Sequence, residues 1–285
     1  MQKLITFFCL LTFAFSFSQD KPAYQLFDKN GKRASYKKLV KASLNSSVVL
    51  FGEHHDNPIS HWLQLSLTKD LHKKHKSLIM GAEMLERDNQ QELNQYLSSE
   101  IDQKGLDSLA RLWNNYKTDY KPLVDYAKDH KIPFIATNIP RRYASMVFRG
   151  GFEALDTLSA HQKEWIAPLP IKYDARLSQY EKMLEMAQGH GGDKLPKAQA
   201  IKDATMAYSI LSNLPTTKTT FIHYHGTYHS DFYEGIYWYL KQDKPTLRIL
   251  TIATVSQSQL KKLDKEHLHR ADFILVVDKD MTTTY

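Results

Sequence analysis

Six short apolar runs punctuate the chain, at 47–51, 77–81, 133–137, 220–225, 247–253 and 273–277. Each is five to seven residues long and lacks strict polar alternation. That pattern predicts strands covered on both faces. Segments of helical spacing separate most of them. The stretch 59–75 carries Trp62, Leu65, Leu67 and Leu71 and ends in a Lys/His-rich turn, 88–97 is polar and helical, and 122–130 precedes the third run. The alternation predicts an α/β fold: a mostly parallel central sheet flanked by helices.

The rhythm breaks between about 141 and 213, where helix formers replace strand-like runs. The segments 175–188 and 197–211 read as helices, joined by a Gly/His/Pro-bearing connection at 189–196. This region predicts a smaller helical subdomain inserted between the third and fourth strands. The expected organisation is a signal peptide at 1–18 and one α/β domain at 19–285 that contains the insert.

The N-terminus supports that division. Lys3 is followed by an apolar stretch at 4–17 and by the small-residue pattern Ser16-Phe17-Ser18. Such a segment is expected to be cleaved on export, and it is too short to span a membrane comfortably. The one cysteine, Cys9, lies inside it, in poor context for lipid attachment. The expected mature chain is therefore periplasmic or secreted rather than lipid-anchored. It would have neither a disulfide nor a thiolate ligand, so any metal or haem would be held by His, Tyr, Glu, Asp or Met.

The net charge of +7 comes from dispersed basic residues, with short patches such as Lys37-Lys38, Lys73-Lys74 and Lys261-Lys262. That distribution suits mild attraction to anionic ligands and predicts no nucleic-acid binding. No zinc finger, phosphate-binding loop or dinucleotide-binding turn is present.

The chemistry concentrates in histidine. Six of the thirteen histidines fall in two clusters that each end an apolar run: His54, His55 and His61, then His223, His225 and His229. Each cluster contains Gly-x-x-His, as Gly52-Glu53-His54-His55 and Gly226-Thr227-Tyr228-His229. A strand–Gly–His arrangement sets an imidazole at the carboxyl edge of a sheet, where open α/β folds bind ligands. His223 and His225, two apart on a strand, project to one face. Glu83 follows the second run and could ligate a cation, act as a general base or orient a histidine. Glu53, Asp56 and Asp231 are candidate acceptors that would fix an imidazole tautomer. Asn138 ends the third run, where a turn residue before Pro140 is the simpler reading.

Two ligand classes fit these residues. A divalent metal ion held by His55, His229 and Glu83, with His223 or His225, would make a hydrolase in which bound water attacks. Noncovalent haem would need an axial ligand and cations for its propionates. One of Tyr143, Tyr173, Tyr180 and Tyr208 could supply the first, and Arg141, Arg142, Arg149 or Arg176 the second. A non-catalytic scaffold would leave the histidine clusters unexplained.

The ordered set of motifs resembles the ChaN-type haem-binding uptake proteins of the Tiki superfamily. It comprises Gly52-Glu53-His54-His55-Asp56-Asn57-Pro58, Glu83-Met84-Leu85 with Gln90-Gln91, Asn138-Ile139-Pro140-Arg141-Arg142-Tyr143 and Arg149-Gly150-Gly151. Lys197-Ala198-Gln199-Ala200, Asp203-Ala204-Thr205-Met206-Ala207 and the final Gly226-x-x-His229 complete it, so the likeness runs from about Val48 to Leu240. The resemblance implies haem binding at the cell envelope for iron acquisition, with a Tyr ligand and a nearby His, which in this sequence would be Tyr180 or Tyr173 on iron, His190 in support and Arg142 or Arg176 near the propionates. It also implies haem bound pairwise across a homodimer and an outer-membrane haem receptor as partner. Distant Tiki-type relatives are metal-dependent proteases sharing both Gly-x-x-His motifs and the glutamate, which keeps the hydrolase as the alternative. ChaN proteins are often lipoproteins, and in this the chain departs from them.

Overall fold

The computed structural model describes residues 22–74, 77–186, 192–215 and 218–285. The 1–18 signal segment and His190 lie outside the described residues. Eight strands form one sheet: β1 (Tyr24–Asp28), β2 (Arg33–Ala34), β3 (Val48–Glu53), β4 (Leu78–Glu86), β5 (Phe134–Asn138), β6 (Thr220–Gly226), β7 (Ile249–Gln257) and β8 (Phe273–Asp278). Their spatial order is β2-β1-β8-β7-β3-β6-β4-β5. Strands β3 to β8 are the six apolar runs, and they pair in parallel. The two that hydropathy did not announce, β1 and β2, form an antiparallel edge on β8. In β1 only Leu26 and Phe27 are buried, too short a signal to read as a strand.

Helices cover both faces. On one side lie α1 (Tyr36–Leu44), α2 (Pro58–Lys74), α3 (Gln90–Leu97), α4 (Gln103–Leu109) and α5 (Lys121–His130). They enclose Leu39, Leu63, Leu67 and Leu71 with Val49, Phe51, Ile222 and Tyr224 of the sheet. On the other lie α9 (Lys194–Asn213) and α10 (Ile236–Asp243), which bury Met206, Ile210, Ile236 and Leu240 against Val48, Leu50 and Phe221. The period-two alternation along β3 and β6 thus feeds two cores rather than one core and a wet face.

Between β5 and β6 come α6 (Arg141–Gly150), the single-turn α7 (Ala160–Lys163), α8 (Ser178–Met186) and α9. Ile139, Tyr143, Val147, Leu155, Ile166 and Ile201 make a local core there. Helix α9 is buried along most of its length, which is why its sequence shows little amphipathic periodicity. It binds this helical region to β5 and α10 and carries Gln199 and Asp203 to the sheet edge. Among the described residues no helix is long and apolar enough to cross a membrane.

The crossover from β3 to β4 passes β6 on one side and the crossover from β6 to β7 passes β3 on the other, so the chain reverses direction at the β3–β6 pair. That switch opens a crevice beyond the carboxyl ends of the strands.

Candidate functional site

The crevice is a cleft of about 570 Å³ lined from β3, β4, β5 and β6, with α8 and α9 as its far wall. Its size is that of a small-molecule or cofactor site. The two Gly-x-x-His segments meet at its floor and interlock through their glycines. A Cβ on Gly52 would come within 2.7 Å of the Thr227 Cα, and one on Gly226 within 2.7 Å of His55 Nε2. At Gly52 only glycine lets the two strand ends approach this closely, while at Gly226 any side chain would displace the His55 ring.

His55 takes its orientation from its own strand. Its Nδ1 lies 2.9 Å from Glu53 Oε1, which fixes the proton there and turns Nε2 toward the cleft. Glu53 also accepts from Tyr120 (2.7 Å) and from Gln64 (2.5 Å). Burial alone would raise its pKa, but hydrogen bonding to His55 and His61 outweighs burial and holds it at about 2. Trp113 packs edge-on against the His55 ring at 4.9 Å. The His55 side chain remains 30 % exposed, with Nε2 4.0 Å from Glu83 Oε2. His54 also lines the cleft and meets Ser256 at 3.2 Å. His61 is buried behind them, its Nε2 3.1 Å from the carbonyl of His55.

His229 is held differently. Its Nδ1 donates to Asp203 Oδ1 at 2.5 Å and its Nε2 to Glu83 Oε1 at 3.1 Å, so both ring nitrogens face carboxylates. Asp203 in turn accepts from the Tyr180 hydroxyl at 2.8 Å, and Glu83 Oε2 accepts from the Gly226 N–H at 2.8 Å. Burial opposes a charge on His229, but Glu83 and Asp203 overcome it and push its pKa up to about 9. Glu83 is correspondingly held well below the usual carboxylate range, against its own burial. The result is a closed Tyr180–Asp203–His229–Glu83 chain that ends 4.0 Å from His55.

The remaining sequence candidates lie elsewhere. His223 and His225 do share one face of β6, but that face is fully buried. They form a neutral chain, Thr137–His223–His225–Ser230, with spacings of 2.7, 3.0 and 2.8 Å. Burial drives both pKa values down, that of His225 to about 3. Of their strand only the terminal Gly226 lines the cleft, so neither side chain reaches it.

Tyr180 is buried and committed to Asp203. Tyr173 stacks on Tyr180 at 5.7 Å, its hydroxyl buried with no hydrogen-bond partner among the described residues. Burial raises the pKa of both phenols. Arg142 pairs with Asp88 and lies over Tyr143, while Arg176 pairs with Asp174 on the surface. Asp231 serves Thr227 and Arg270 rather than a histidine.

Three contributors escaped hydropathy reasoning: Asp203, Lys202 and Trp113. Asp203 had a signal, as an acid among the buried residues Ala200, Ile201, Ala204, Met206 and Ala207. Arg141 and Lys202 are cleft-lining cations, and neither is in an ion pair among the described residues.

Comparison with known proteins agrees with this architecture. ChaN of Campylobacter jejuni, a structure described as binding haem cofacially, superposes with a TM-score of 0.67 at 19 % identity, covering 90 % of this chain and 97 % of that one. A succinoglycan biosynthesis protein matches with a TM-score of 0.53 at 11 % identity over 85 % and 90 % of the two chains. A Bacillus cereus protein matches with a TM-score of 0.52 at 12 % identity over 86 % and 92 %. At such identities these structures share the fold. No curated protein matches the sequence. The model of the family described as haem-binding uptake, Tiki superfamily, ChaN, matches residues 39–240. The chain belongs to that family.

Proposed function

We propose that this chain binds haem noncovalently in the carboxyl-edge cleft and serves uptake of haem iron, with His55 as the axial donor. The observation that carries the reading is the state of His55. Its Nδ1 is tied to Glu53, its Nε2 is turned toward the cleft, and its ring is the more accessible of the two motif histidines. Oriented imidazoles of this kind are common metal ligands. Trp113, Ile139, Met183 and Tyr228 offer apolar surface, and Arg141 and Lys202 offer cations for propionates. Bound haem supplies ferric iron as cargo; the chain's residues hold, orient and shield it. Export to the periplasm or beyond, a homodimer and an outer-membrane receptor as haem source go with this reading.

Access favours His55 over the tyrosines. An iron-bound phenolate must lose its proton and reach the ligand, whereas Tyr180 is enclosed and donates to Asp203. The test is a haem titration followed by visible absorption, on the wild type and on His55→Ala, Tyr173→Phe and Tyr180→Phe. We expect saturable binding that is lost in His55→Ala and kept in both phenylalanine variants. A tyrosinate-type spectrum that vanishes in Tyr180→Phe or Tyr173→Phe returns the ligand to tyrosine.

One observation favours a second reading, a divalent-metal-dependent hydrolase. Glu83, flanked by His55 and His229 at the cleft floor, sits where a carboxylate could receive a proton from attacking water. An ion there would have to take the place of the proton between Glu83 and His229. His229→Ala is then expected to abolish metal binding, and unchanged metal content in that variant removes the reading.

A further inference from the structure

A second set of candidate ligands lies on the connection between β7 and β8, and none of its members lines the cleft. The segment is fixed from beneath. Gln257, the last residue of β7, donates to the carbonyls of Gln259 and Lys262 and accepts from the Asp264 N–H at 3.1 Å. Leu260, Leu263 and Leu268 pack with Val255, Ile274 and Val276. One turn of 3-10 helix follows at Lys265–His267, closed by the His267 N–H on the Asp264 carbonyl at 3.1 Å.

This turn gathers Asp264, Glu266 and His267. One ligand atom from each lies within 4.8 Å of the other two. A pair of exposed acids alone would carry no meaning, since solvated acids are common. His267 is the independent observation. Its side chain is only 10 % exposed, yet neither ring nitrogen has a hydrogen-bond partner among the described residues. Its Nε2 instead faces Glu266 Oε1 at 3.7 Å, too far for a hydrogen bond. Burying a polar group without a partner costs about 1–3 kcal/mol, so an imidazole left this way calls for a ligand. Lys261, Lys262 and Lys265 share the segment, but no lysine or arginine forms an ion pair with Asp264 or Glu266 among the described residues.

We propose that Asp264, Glu266 and His267 form a binding site for a divalent transition-metal ion of the zinc type. Three protein ligands leave the fourth tetrahedral position to water. Zinc bonds of roughly 2.0–2.2 Å set ligand atoms about 3.4 Å apart, so from separations within 4.8 Å the two exposed carboxylates close by at most about 1.4 Å onto a buried imidazole that stays in place. The imidazole selects against calcium and magnesium, which prefer oxygen alone.

The test is calorimetric titration of zinc chloride into chelator-treated protein, with calcium chloride as control. The wild type is compared with Glu266→Gln, His267→Gln and the cleft variant His55→Ala. The exposed Glu266 side chain can be replaced without threatening the fold. Support is one zinc at micromolar affinity, weakened at least tenfold by Glu266→Gln and a hundredfold by His267→Gln, unchanged by His55→Ala and not mimicked by calcium. Absence of saturable zinc binding overturns the proposal. So does zinc binding that survives both Glu266→Gln and His267→Gln, and loss in His55→Ala alone assigns that zinc to the cleft.

Discussion

The two Gly-x-x-His segments share a spacing and a place on the sheet, yet their histidines end in opposite states. His55 has one carboxylate, supplied two residues earlier by Glu53, and keeps a nitrogen toward the cleft. His229 has two carboxylates, from β4 and α9, and no free nitrogen. The short-range partner orients and leaves the ring open, whereas the long-range partners close it. Identical motifs therefore divide the work: one presents a donor and the other stores a charge.

Removing each ring measures that division. His229→Ala leaves Glu83 and Asp203 buried without the imidazolium between them, and loss of one partner from such a group costs about 3–5 kcal/mol. His55→Ala leaves Glu53 still bonded to Tyr120 and Gln64, so its cost is about 1–2 kcal/mol. Urea unfolding of the two variants gives both numbers. Equal losses would break the comparison.

The same contrast predicts a pH dependence in the ligand-free protein. His229 is raised in the folded state to about 9, against about 6.5 unfolded. Its contribution is complete below pH 6.5 and is lost as pH rises through 9, an effect on the order of a few kcal/mol. Glu53 behaves oppositely. Held at about 2, it contributes fully above its unfolded value and loses that contribution as pH falls toward 2. Thermal midpoints from pH 6 to 9.5 test the first limb, and His229→Gln is expected to flatten it.

The interlocked glycines sharpen the comparison further. In Gly52→Ala the new methyl meets backbone, the Thr227 Cα at 2.7 Å and the Ile252 carbonyl at 3.0 Å. Nothing there can swing aside, and overpacking of this kind costs about 1–3 kcal/mol. In Gly226→Ala the methyl meets the His55 ring, which can rotate. The expected result is a smaller loss of stability but a weaker haem titration. A Gly226→Ala protein that binds haem like the wild type would count against His55 as donor.

How much of this was legible in the sequence follows from the same geometry. Strands β3 to β8 announce themselves because burial on both faces leaves continuous apolar runs, while β1 hides because only Leu26 and Phe27 point inward. His55 and Glu83 were legible as residues within four positions of the ends of such runs. His223 and His225 show the limit of that logic: period two gives the shared face correctly, but not that it lies on the buried α9 side of the sheet, where Thr137 and Ser230 meet the two rings. Asp203 and Lys202 reach the site only through the packing of α9 on the sheet, a tertiary fact with no local signature beyond an acid in an apolar helix.

The smallest predicted effect concerns Tyr180, and it separates a structural role from a ligating one. Its hydroxyl donates to Asp203, which accepts from His229 on the other side. Tyr180→Phe keeps the ring that stacks on Tyr173 and removes only that one bond. A hydrogen bond to a charged acceptor is worth about 1.5–3 kcal/mol, and the lower end applies because Asp203 retains its imidazolium. The variant is therefore expected to lose about 1.5 kcal/mol in urea unfolding and to bind haem with an unchanged spectrum. Asp203, relieved of a donor, also shares its charge more fully with His229, so the alkaline limb of the stability profile moves slightly upward. A spectrum altered at unchanged stability would mean that the phenol leaves Asp203 to reach iron, and the closed chain would then be a resting arrangement rather than the working one.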